Sequence, residues 1–145
     1  MRDGNPFDLS DARAYRAWRE GKLAGYPRRA ADLIVEVRDP RALSGAERAA
    51  LAERLRRANV AVYASHVGED PDRNILRALG RQFGLERLDR NWLAEDDGIS
   101  SITVRETSAH GEFIPYTDRA MRWHTDGYYN PPARRIRAMA LHCVR

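Results

Sequence analysis

Arg122-Trp123-His124-Thr125-Asp126-Gly127-Tyr128-Tyr129-Asn130 sets an imidazole and a carboxylate two residues apart, beside aromatic side chains and ahead of a Pro131-Pro132 break. In an extended segment, residues i and i+2 project to the same side, so His124 and Asp126 can converge on one ion while Thr125 faces away. A histidine and a carboxylate are two of the ligands of the 2-His-1-carboxylate facial triad, which holds ferrous iron on one face and leaves the other open. The spacing alone also suits a hydrogen-bonded histidine–aspartate couple that needs no metal. Its neighbours favour the metal reading.

Trp123-His124-Thr125-Asp126-Gly127-Tyr128, followed by Asn130-Pro131-Pro132 and the apolar run Ile136 to Val144, resembles the taurine dioxygenase (TauD/TfdA) family of iron(II)- and 2-oxoglutarate-dependent oxygenases. The local likeness runs from Tyr116 to Arg145; the part before it agrees only in the order of its elements. The resemblance implies an α/β (α+β) fold, the N-terminal part of a double-stranded β-helix (jelly-roll, cupin-like) with flanking helices. On that reading 1–145 is a single, incomplete oxygenase domain, with a helical lead-in over 1–30 and the start of the β-helix core, including helices 45–58 and 72–83, over 31–145. It implies Fe(2+) held by His124 and Asp126, with 2-oxoglutarate and O2 as cosubstrates and a small-molecule substrate hydroxylated at an unactivated C–H. Trp123 and Tyr128 are expected as packing that fixes the ligands. Thr103, Arg105, Tyr116 and Tyr128 are expected to wall the substrate pocket.

In the family, the second histidine ligand, the arginine that pairs with the distal carboxylate of 2-oxoglutarate and a Gly-Gly-x-Thr-like turn all come later than this sequence extends. His142 follows too soon to be that histidine and reads as a packed or hydrogen-bonded strand residue. The chain is therefore expected to be the N-terminal part of a longer oxygenase, completed by a C-terminal chain or working as a homo-oligomer. The alternative reading is a non-catalytic binding or assembly module in which the histidine–aspartate pair is structural.

Composition sets wider bounds. At 145 residues, 43% apolar and 32% charged, the chain can form one globular core. Met1 to Ser10 has no apolar segment behind a basic stretch, so no secretion signal is expected, and no run is long enough to span a membrane. The single cysteine, Cys143, excludes an internal disulfide framework and fits a reducing compartment, the cytoplasm in the simplest case. A net charge of +4 invites a nucleic-acid role, but Lys22 is the only lysine and the arginines are scattered among acids, so none is expected.

Along the chain, Ser10 or Asp11 is placed to cap a helix that carries Trp18 and ends at the glycines Gly21 and Gly25. Leu33 to Val37 reads as a strand. Ser44-Gly45-Ala46-Glu47 is a capping box opening a helix to Ala58, with Leu51 and Leu55 inward and Asn59 as its stop. Val60 to Ser65 is the next strand, with His66 at its end. A further helix runs from about Asp72 to Phe83, with Ile75, Leu76, Leu79 and Phe83 inward and Gly84 as its stop. Leu88 to Asp97 is a surface excursion, and Thr107 to Pro115 a loop carrying His110. Ile99 to Glu106 and Ile136 to Val144 alternate as strands.

Overall fold

The computed structural model describes residues 4–88, 97–104 and 113–144. They fall into two compact units, Met1–Gln82 with His142–Arg145, and Phe83–Leu141. The described residues are of mixed α and β type, with three α-helices and one two-stranded sheet.

The first unit begins with α1, Ala12–Ala24, whose N-cap Asp11 accepts the Ala14 N–H at 2.9 Å. No residue of α1 is fully buried. Trp18 is half-buried and packs locally, its ring centroid 5.5 Å from Phe7 and 5.9 Å from Tyr15. Lys22 then reaches the far end of the next helix: Nζ donates to the Arg56 carbonyl at 2.6 Å and to Asn59 Oδ1 at 3.0 Å. An ammonium there satisfies carbonyls that have no partner within the helix and offsets the negative end of its dipole.

After a 3-10 turn at Ala30–Leu33 comes β1, Ile34–Val37, then α2, Gly45–Ala58, and β2, Val62–Ser65. β1 and β2 are parallel, with Ile34 opposite Val62 and Val37 opposite Ser65. Parallel neighbours need a crossover, and α2 supplies it while packing against β1. Alternation along β1 turns Val35 and Val37 inward and Ile34 and Glu36 outward. The helix ends where Asn59 adopts a left-handed conformation, φ 60°, a cap that asparagine tolerates better than most residues.

The capping box forms as the sequence predicts. Ser44 Oγ accepts the Glu47 N–H at 3.2 Å, and Glu47 Oε2 accepts the Ser44 N–H at 2.6 Å. The same carboxylate also accepts the Arg38 N–H at 2.8 Å, tying the exit of β1 to the start of α2. That bond, followed by those to Ser44, lowers the Glu47 carboxyl from an ordinary 4.5 to about 2. A carboxyl whose folded pKa is depressed contributes stability above its unfolded pKa and loses it as pH falls through the folded one. The stability gap between wild type and Glu47→Gln is therefore expected to be constant above pH 4.5, to narrow below it and to close near pH 2. Thermal melts of both proteins across that range check it, and a gap independent of pH would refute the assignment.

The last helix of this unit, α3, is Asn74–Arg81. It is shorter than 72–83 because Asp72 and Arg73 form the preceding turn and Gln82 is its C-cap. Ile75 and Leu79 are buried and close the core with Val35, Val37, Leu51 and Pro40. Leu76 and Phe83 are only half-buried. Leu55, expected inward, is 42% exposed. It lies one helical turn beyond Leu51, and β1 is only four residues long. Gln82 ties α3 to the loop before α2, accepting the Leu43 N–H at 2.7 Å and donating to the Pro40 carbonyl at 3.0 Å.

In the second unit Gly84 and Gly98 take positive φ, and Asp97 accepts the Ile99 N–H at 3.0 Å, so this carboxylate serves a turn. Ile99 and Tyr116 are buried, the latter in a 3-10 turn at Ile114–Tyr116. A further 3-10 turn spans Pro132–Arg134. Neither expected strand forms among the described residues: Ile99 to Val104 and Ile136 to Val144 are irregular. Alternation supplies a face but no partner, and a strand exists only through the ladder that pairs its N–H and C=O groups. Nor do the described residues contain the antiparallel sheets of a jelly roll; their only strand pair is parallel. No helix among them is long and apolar enough to cross a membrane. Residues 89–96 of the surface excursion, Arg105, Glu106 and residues 107–112 of the loop with His110 lie outside the described residues.

Candidate functional site

His124 precedes a turn that begins at Asp126, so the two side chains meet across a bend rather than along a strand. The local chain folds this way because Gly127 takes φ 65°, a conformation open to glycine, and its carbonyl accepts the Asn130 N–H at 2.9 Å. The Asn130 side chain then donates to the Arg134 carbonyl at 3.2 Å, across the Pro131-Pro132 segment that has no N–H groups to offer.

The pair itself is open to solvent, with side chains 49% and 44% exposed and His124 Nε2 3.6 Å from Asp126 Oδ1. That is too long for a hydrogen bond. His124 Nδ1 lies 2.8 Å from the Arg122 carbonyl oxygen. Since a carbonyl can only accept, Nδ1 carries the hydrogen, and in the neutral ring Nε2 is left as a lone pair. With the ring neutral, Nε2 and the Asp126 carboxylate are both acceptors 3.6 Å apart; with the ring protonated, the same two groups form an exposed ion pair. This donor set suits a cation, and a backbone carbonyl on the other ring nitrogen is the support that metal-ligating histidines commonly have.

His124, Asp126, Met121, Arg122 and Trp123 line an open cavity of about 340 Å³. Met121 was not singled out in the sequence; its only signal there is its place just ahead of the motif. The expected pocket residues are elsewhere. Thr103 is exposed, Tyr116 is buried in its own turn and Tyr128 faces solvent against Tyr129, with ring centroids 5.4 Å apart; none of the three lines this cavity. Arg105 lies outside the described residues. Trp123 is fully exposed, at 105%, so the role of packing that fixes the ligands does not fall to it, and Tyr128 is likewise too exposed to brace them. The indole forms part of the cavity wall instead.

The other histidines are placed differently. His66 is exposed in the turn after β2. His142 belongs to the first unit, and both its ring nitrogens are bonded there, to the Tyr63 hydroxyl and the Asp70 carbonyl. Among the described residues no group of three or more His, Cys, Asp or Glu side chains comes together to hold a metal ion.

Gly127 gives the site a sensitive point. A Cβ there would lie 2.5 Å from Ile136 Cδ1 and 2.9 Å from Asn130 Nδ2. Gly127→Ala is expected to destabilise the turn by at least about 1–2 kcal/mol, from the left-handed backbone alone, with the clash added to it. Chemical denaturation would show it, and a midpoint equal to wild type would mean that the turn is not built as described.

Comparison with family models, curated proteins and solved structures gave no match to this chain.

Proposed function

We propose that this chain carries the His-x-Asp half of the metal site of an iron(II)- and 2-oxoglutarate-dependent dioxygenase, similar to the TauD/TfdA oxygenases and sharing their jelly-roll core. The observation that carries the reading is the approach of His124 Nε2 to Asp126 Oδ1, 3.6 Å apart, with both residues lining one open cavity. His124 and Asp126 would hold the iron, and a second histidine from outside the described residues would complete the facial triad. When bound, the iron with 2-oxoglutarate and O2 supplies oxidation of an unactivated C–H of a small molecule, the oxoacid being converted to succinate and CO2. The described residues have the simpler tasks. The Arg122 carbonyl fixes the His124 tautomer, Gly127 sets the turn that brings Asp126 round, and Met121 and Trp123 offer apolar surface to whatever enters the cavity.

The test is an anaerobic iron(II) titration of the purified protein with and without 2-oxoglutarate, watching for the weak visible charge-transfer band of the chelate. A band that appears only with both supports the reading. Its absence in folded protein would favour the second reading, a non-catalytic binding or assembly module. The exposed Trp123, Tyr128 and Tyr129 speak for that alternative, because aromatic side chains left in water around one turn are characteristic of contact surfaces.

A further inference from the structure

Among the described α-helices, α1 alone buries no residue. A helix that docks on its own core hides an apolar stripe. The hydrogen bonds that tie α1 to α2 lie instead at its C-terminal end, where Lys22 meets the Arg56 carbonyl and Arg57 Nε donates to the Gly25 carbonyl at 3.1 Å. Ala12, Arg16, Arg19 and Leu23 follow at spacings of four, three and four, so they form one seam along the helix, and all four are exposed. Arg13 lies one turn before Arg16 and Tyr15 one turn before Arg19, each at the edge of the seam. Among the described residues none of these three arginines is paired with a carboxylate, and Glu20 is the only acid in the helix. Arginines three residues apart repel one another and weaken the helix that carries them. An anionic surface set against the seam offsets that repulsion.

Apolar side chains accompany the charge. Leu23 is 54% exposed, and in the turns ahead of the helix Phe7 is 72% and Leu9 101% exposed. Phe7 packs edge-on against Trp18, and Trp18 against Tyr15, so an aromatic row borders the arginines. We infer that α1 with the turns before it is a docking surface for an anionic lipid bilayer. The arginines meet lipid phosphates and carboxylates in the headgroup layer, Leu23 turns toward the acyl chains, and Phe7 and Leu9 add apolar surface at the N-terminal side. A nucleic acid would match the arginines but leave the leucines in water, whereas the bilayer interface takes charge and apolar surface together.

The test is co-sedimentation of the full chain with vesicles of phosphatidylcholine alone and of phosphatidylcholine and phosphatidylserine in equal parts. Binding is expected to the second only, weakening as salt is raised. Arg13→Gln, Arg16→Gln and Arg19→Gln together, which keep a good helix former at each position, should weaken it about 100-fold, from about fivefold per arginine. Leu23→Ser leaves the charge unchanged and should weaken it about tenfold. No binding to the mixed vesicles, equal binding to both kinds, or a triple variant that binds as wild type would overturn the assignment. So would binding that ignores Leu23→Ser and is competed away by a single-stranded oligonucleotide, which would make the seam a nucleic-acid surface. The lipid and salt comparisons use the unaltered chain, so they decide the matter even if a variant fails to fold.

Discussion

His124→Ala is expected to abolish the iron(II)- and 2-oxoglutarate-dependent band and to weaken iron(II) binding by at least about 100-fold. Loss of a mere supporting group around a metal costs about 10–100-fold, and a lost ligand should cost no less than the top of that range. The effect is expected to be local, since His124 is half exposed and its only hydrogen bond among the described residues is to the carbonyl two residues before it. The folded state should therefore survive the substitution, and a circular-dichroism melt close to wild type would show that it has. His142→Ala is the informative contrast: with both ring nitrogens bonded to Tyr63 and Asp70, its loss should leave iron binding within about twofold of wild type. If His142→Ala removed the band and His124→Ala did not, the metal reading of the Trp123 to Asp126 stretch would be wrong.

The legible parts of the sequence were those written in local chemistry. Asp11, Ser44 with Glu47, and Asn59 name the ends of α1 and α2 because a cap depends on atoms within a few residues of itself. The convergence of His124 and Asp126 was legible for the same reason, although a turn at Gly127 achieves it rather than a strand. What alternation could not say is whether a strand has a neighbour. Ile99 to Val104 and Ile136 to Val144 carry the pattern without the ladder, while the shorter Ile34–Val37 has both because α2 returns the chain beside it. Long-range polar ties were equally silent in the sequence. Nothing near Lys22 announces that it caps α2, nothing near Gln82 that it binds Leu43 and Pro40, and nothing near His142 that Tyr63 receives it. Trp123 misled in a different way, because an aromatic next to a ligand reads as packing and here it is fully exposed.

The same distinction can be measured on stability. Leu51, Leu55 and Ile75 all lie on the apolar stripe of a helix, and the pattern treats them alike. Ile75 is 0% exposed, whereas Leu55 is 42% exposed. Ile75→Ala removes three carbon atoms from a fully buried site and is expected to cost about 2–5 kcal/mol, the transfer term plus the cavity left behind. Leu55→Ala should cost about 1 kcal/mol or less, since much of that side chain is already in water and the helix gains slightly from alanine. Urea unfolding of the two variants would show it as a large shift in midpoint for the first and a small one for the second, at similar slope. Such a result puts Ile75 of α3 in the core of the first unit, to which α2 contributes through Leu51. Equal shifts would mean instead that α2 buries its whole stripe, Leu55 included, and that the helix lies closer over the sheet than its exposed end shows.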